Sequence, residues 1–103
     1  MLATKAIKRS EIREFVEALG DKSFEVVFVK RGDGTIRQMP ARNVRDDERS
    51  NEPPRYDPIE KGLVPVIDRE AEAKGVNPRR QFGINETKLF IVNGEFILIK
   101  NED

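Results

Sequence analysis

The sequence predicts a mainly β fold, a small five-stranded barrel preceded by one amphipathic helix, and three observations carry that expectation. The stretch YDPIEKGLVPVIDRE (56–70), followed by RRQFGINETKLFIVNGEFILI (79–99), reads as consecutive strands. That run contains Asn93-Gly94, the dipeptide that supplies two positive-φ residues to a two-residue hairpin turn. Upstream, a pair of β-branched and aromatic runs flanks Arg31-Gly32-Asp33-Gly34 and reads as an earlier hairpin.

The helix comes first in the chain. Ile12, Phe15, Val16 and Leu19 recur at helical spacing, with Glu11, Arg13, Glu14 and Glu17 between them. Gly20 is a natural stop. Ser10 is one candidate cap. A start near Thr4, with Ala6 and Ile7 extending the apolar stripe, is the other, so the helix is bounded at 4–20. Phe24 to Lys30 and Thr35 to Arg42 are then the two arms of the first hairpin. Its Arg-Gly-Asp triplet is explained by the needs of a tight reversal. Residues 43–58, NVRDDERSNEPPRYDP, carry three prolines and almost no apolar side chain, which opposes both helix and ladder. They are expected to form a long exposed loop. Its acids Asp46, Asp47 and Glu48 alternate with arginines and read as self-neutralising, so no metal site is expected.

Leu63 to Asp68 is the next strand, and Arg69 to Pro78 has room for a helical turn before Gly75. Arg79 to Ile84 follows, with Arg80, Phe82 and Ile84 on one face by period-two alternation and Phe82 and Ile84 directed inward. In the last hairpin a two-residue turn pairs Ile91 with Phe96 and Leu89 with Leu98 on one face, and Phe90 with Ile97 on the other. Both faces are apolar. One fills the barrel, and the second needs cover from the helix stripe or from another subunit.

Composition bounds the function. At 103 residues the chain is expected to form a single domain with one core. It has no cysteine, so packing alone must hold it, which suits a reducing cytoplasm. The first fifteen residues, MLATKAIKRSEIREF, hold no uninterrupted apolar run, and no apolar stretch reaches the length of a membrane helix, so neither a signal peptide nor a membrane span is expected. Nineteen basic residues balance nineteen acidic ones, which excludes a strongly basic nucleic-acid binder or an acidic DNA mimic. Charge is still uneven: residues 1–42 hold nine basic and six acidic side chains, whereas residues 81–103 hold two and four. With no histidine and no cysteine, the usual general bases, thiol nucleophiles and imidazole ligands are absent. Asp57, Asp68 and Glu70 at the barrel mouth read as ion-pairing groups, and no phosphate loop, dinucleotide fingerprint or zinc spacing occurs. The chain is therefore expected to bind rather than catalyse, with no cofactor.

The run YDPIEKGLVPVID, followed by Arg80-Gln81-Phe82-x-Ile84-Asn85, resembles the small phage-encoded family of WYL-related, Sm-like SH3 β-barrel proteins. The likeness covers about residues 24–99. It implies an SH3-like, Sm-like barrel to which the first helix is an addition, and a bacteriophage origin. It also implies nucleic-acid or nucleotide sensing through a basic and aromatic barrel face, with the arginine before Phe82 matching that pattern. Two departures stand out. Leu63-Val64-Pro65-Val66 occupies the strand where the family has its Trp-Tyr-Leu triplet, and Gly83 stands where a basic residue is common.

Two functions of different class remain open from sequence. The first is a phage accessory protein that binds a host protein such as a polymerase, nuclease or defence component to inhibit or redirect it, with Arg55, Tyr56 and Phe90 as interface anchors. The other is a regulatory nucleic-acid or nucleotide-binding module, in which Arg31, Arg37, Arg42, Lys61, Arg79 and Arg80 meet phosphate. Exposed edge strands leave room for a homodimer or ring.

Overall fold

A computed structural model of the chain describes residues 4–45, 47 and 62–100. Its first element is not helical. Thr4–Lys8 forms a strand, β1, followed by a single 3-10 turn at Arg9–Glu11 and a helix, α1, at Ile12–Ala18. The helix expected over 4–20 is thus confined to its C-terminal half. The Lys8 amide donates to the Glu11 carboxylate at 2.8 Å, a one-sided cap that fixes the helical start after Lys8. Upstream of that cap, residues 4–8 extend and find backbone partners in another strand.

The remaining strands are β2 (Phe24–Val29), β3 (Ile36–Arg42), β4 (Leu63–Asp68), β5 (Arg79–Gly83), β6 (Thr87–Val92) and β7 (Glu95–Lys100), with a short helix, α2, at Arg69–Ala73. They form one mixed sheet in the order β1-β7-β6-β2-β3-β4-β5. The mainly β expectation therefore holds, in a sheet of seven strands where a five-stranded barrel was expected. Among the described residues no ladder joins its outer strands, β1 and β5. The strand that the sequence did not announce is β1, which lies parallel on the free side of β7 with Thr4 opposite Phe96 and Lys8 opposite Lys100.

Local chemistry accounts for the hairpins. Asn93 and Gly94 both have positive φ, 51° and 78°, and this primed turn sets Leu89 opposite Leu98, Phe90 opposite Ile97 and Ile91 opposite Phe96, the register expected from sequence. In the first hairpin Val29 lies opposite Ile36 and Phe24 opposite Ala41. Its loop is closed by Lys30 donating to Thr35 O at 2.8 Å and Gly34 donating to Lys30 O at 2.9 Å. The Asp33 carboxylate accepts from the Thr35 amide at 3.0 Å and the Thr35 hydroxyl at 2.7 Å. The amide bond first, the hydroxyl second and the Lys30 charge after them hold the Asp33 carboxyl below its ordinary range. The turn's bonds are therefore intact at neutral pH and are lost only as pH falls through that lowered value.

The core lies on one face of the sheet, and α1 packs against that face. Ile12 and Val16 of α1 pack with Phe24, Val26, Met39, Val64, Val66, Phe82, Phe90 and Ile97. Phe90 sits at its centre. Its ring lies 5.1 Å from Phe15 and 5.9 Å from both Phe24 and Phe82 by centroid. The helix thus covers the Phe90 and Ile97 face of the last hairpin. Phe96 and Leu98, on the other face, stay exposed, and Leu89 and Ile91 beside them are only half-buried. Among the described residues no helix is long and apolar enough to cross a membrane.

Candidate functional site

Three strands meet where the site forms. β4 lies between β3 and β5, and its last residue, Asp68, points to the core side of the sheet, only 1 % exposed. A carboxylate so deep needs partners on every lone pair. One oxygen caps α2, accepting from the Glu70 amide at 2.9 Å and the Ala71 amide at 3.3 Å. The other accepts from Arg37 Nη2 at 2.8 Å, while Arg80 Nε stands 4.0 Å away. Arg37 is the second residue of β3 and lies opposite Phe28; Arg80 is the second residue of β5 and lies opposite Val66. One buried acid on the middle strand thus draws an arginine from each flanking strand to the same place.

The Arg80 guanidinium is held further by Nη1 donating to the carbonyls of Asn77 and Arg79, both at 2.8 Å. Beside these two arginines opens a cleft of about 250 Å³. Phe28, Met39, Leu63 and Phe82 form its apolar floor, and Lys30, Arg31, Arg37 and Arg80 its cationic rim. Among the described residues, no acidic side chain lines it. The acids that balance the rim sit behind it: Asp68 under Arg37 and Arg80, and Glu86 paired with Arg31. An apolar floor under several fixed donors is the usual build of a small-ligand site. Planar guanidinium forks suit a phosphate or carboxylate in it.

Gly83 explains the Arg31 side of the rim. It is buried, and a Cβ built there would collide with the Glu86 carboxylate and lie 3.0 Å from Arg31 Nη2. The absent side chain is the space through which Glu86 reaches Arg31. The sequence reading took Gly83 as the loss of a basic group from a ligand face; the structure shows a glycine that seats an ion pair beside the cleft. Gly83→Ala is expected to displace the Glu86 carboxylate while costing under about 1 kcal/mol, because the pair is partly solvated and the clashing group is the end of a flexible side chain. A shift of the Arg31 Nε–Hε signal by NMR, with little change in melting temperature, checks this.

The other sequence candidates separate. Arg42 is buried and committed: its guanidinium donates to Glu72 at 2.5 Å and to the Asn43 carbonyl at 3.2 Å, so it ties β3 to α2 rather than meeting a ligand. Arg79 is exposed, but it does not line the cleft. Phe90 is corrected from interface anchor to core, with no exposed surface, because the helix covers its face of the hairpin. Lys61, Arg55 and Tyr56 lie outside the described residues, as does most of the 43–58 loop. Among the described residues, Arg31, Arg37 and Arg80 are therefore the candidates that come together. Lys30, Gly83, Glu86 and the buried Asp68 were not singled out as ligand-site residues from sequence. Asp68 had a legible signal, the acid that ends a strand directly before the Arg69–Ala73 helix, but that position announces a cap rather than a ligand site.

Comparison with protein-family models, with curated proteins and with solved structures finds no match to this chain.

Proposed function

We propose that the protein is a non-catalytic binding module whose ligand presents phosphate, a nucleotide or nucleic acid, to the cleft rimmed by Lys30, Arg31, Arg37 and Arg80. The observation that carries this reading is the convergence of arginines from β3 and β5 on Asp68 over an apolar floor. Two of those guanidiniums are fixed in place before any ligand arrives, which lowers the ordering cost of binding. The resemblance to the phage-encoded WYL-related, Sm-like family supports the same reading, and with it a bacteriophage origin and action in the host cytoplasm. Within the sheet, β2 to β5 run as successive antiparallel neighbours and β6 returns to pair with β2, which supports reading these five strands as the SH3-like part.

The test is a titration with a fluorescent nucleotide or short oligonucleotide across a salt series. Wild type is expected to bind and to weaken steeply as salt rises. Arg37→Glu with Arg80→Glu is expected to lower affinity at least tenfold, whereas Arg79→Glu, outside the cleft, leaves it nearly unchanged. Equal loss in both variants, or none in either, overturns the assignment.

A second reading, capture of a host protein, rests on a separate observation: Phe96 (37 % exposed) and Leu98 (44 % exposed) carry apolar surface on the face that α1 leaves uncovered. A stoichiometric host protein that survives nuclease in a pull-down, and is lost with Leu98→Asp, would favour it. Binding of that kind barely responds to salt.

A further inference from the structure

We infer that the cleft selects a terminal phosphomonoester, as on a mononucleotide or a 5′-phosphorylated strand end, over the internal phosphodiesters of a polymer. The inference rests on the phosphate reading above and narrows it by charge, size and the placement of aromatic rings. Every rim arginine already has a carboxylate: Glu86 beside Arg31, and Asp68 shared by Arg37 and Arg80. Asp68 cannot leave, because it is buried and caps α2. Glu86 can leave, because its pair with Arg31 is partly solvated and its side chain is flexible.

A ligand that takes Arg31 therefore exchanges with Glu86. A phosphodiester carries one negative charge, the same as the carboxylate it displaces, so the exchange gains nothing in charge. A phosphomonoester carries about 1.5 to 2 negative charges near neutral pH and presents three acceptor oxygens, so it gains on both counts. The local balance agrees. Lys30, Arg31, Arg37 and Arg80 stand against Glu86 and Asp68, and the nearby Asp33 is turned to Thr35.

Size and rings point the same way. A cleft of about 250 Å³ falls below the usual range of about 300 to 1,000 Å³ for ligand pockets and holds one phosphate with part of one ring. Tracking a strand requires a row of exposed aromatic rings on which successive bases stack. Phe28 and Phe82 are buried in the floor, and the exposed Phe96 lies on the opposite face of the sheet.

The experiment is a parallel NMR and calorimetric titration of the intact protein. The probes are adenosine 5′-monophosphate, dimethyl phosphate, and 5′-hydroxyl and 5′-phosphorylated forms of the same oligonucleotides at several lengths. The inference expects the monophosphate and the 5′-phosphorylated strands to bind at least tenfold more tightly than dimethyl phosphate and the 5′-hydroxyl strands. The monophosphate against the phosphorylated strand then shows whether a free nucleotide or a strand end is preferred. Glu86→Gln, which removes the competing charge, is expected to shrink the monoester preference severalfold by strengthening diester binding. Affinity that rises with strand length irrespective of the terminal phosphate, or a preference unmoved in Glu86→Gln, overturns the inference and leaves phosphate binding standing. No binding of any probe overturns both.

Discussion

Asp68→Asn is expected to weaken the fold and strengthen anion binding at the same time. The substitution keeps the shape and the helix cap, since asparagine caps about as well as aspartate. It removes the charge that meets Arg37 Nη2 at 2.8 Å. A hydrogen bond to a charged group contributes about 1.5 to 3 kcal/mol, and the partner left behind is a half-exposed arginine that water can reach, so a loss in the lower part of that range is expected. Asp68→Ala also removes the cap on the Glu70 and Ala71 amides, adding about 1 kcal/mol. In both variants Arg37 and Arg80 lose their shared counter-charge, and an anion in the cleft meets one more net positive charge. Chemical denaturation and phosphate titration on the same samples check the two halves. If stability falls and affinity falls with it, Asp68 acts by positioning the arginines. If affinity rises, it acts by neutralising them.

The contrast between what was legible in the sequence and what was not follows the range of the interactions. The last hairpin was read residue by residue because Asn93-Gly94 dictates the turn, and the turn dictates which side chains face each other. The helical turn before Gly75 was legible for the same local reason. Thr4 to Lys8 misled because Ala6 and Ile7 also continue a helical stripe; only the free side of β7, far along the chain, makes them a strand. Phe90 misled in another way. Both faces of its hairpin are apolar, and the pattern alone does not say which one the helix covers. The cleft was the least legible part. Arg31, Arg37 and Arg80 were each marked as ligand-facing, but their convergence depends on β4 lying between β3 and β5, and nothing local to any of the three encodes that order. Arg42 carried the same sequence signal and is buried against Glu72.

Phe90→Ala is expected to be the most damaging single substitution in the chain. Truncating a fully buried phenylalanine costs about 3 to 5 kcal/mol, from lost apolar transfer and from the cavity left behind. Phe90 belongs in the upper half of that range because of where it sits. Phe15 of α1, Phe24 of β2 and Phe82 of β5 all place their rings within 6 Å of it, so the residue joins the helix, the middle of the sheet and the strand that carries Arg80. The sheet cannot collapse into the gap without shifting β2 and β7, which are laddered to β6 on either side. Domains of this size hold about 5 to 15 kcal/mol in total, so the variant is expected to lie near its unfolding midpoint at room temperature or to lose tens of degrees in melting temperature. Phe90→Leu, which keeps most of the volume, is expected to lose far less. Thermal unfolding of the two variants beside Leu98→Ala, on the uncovered face of the same hairpin, checks the assignment. If the Leu98 substitution proves as costly as the Phe90 one, the exposed face is covered in solution by something that burial within one chain does not show.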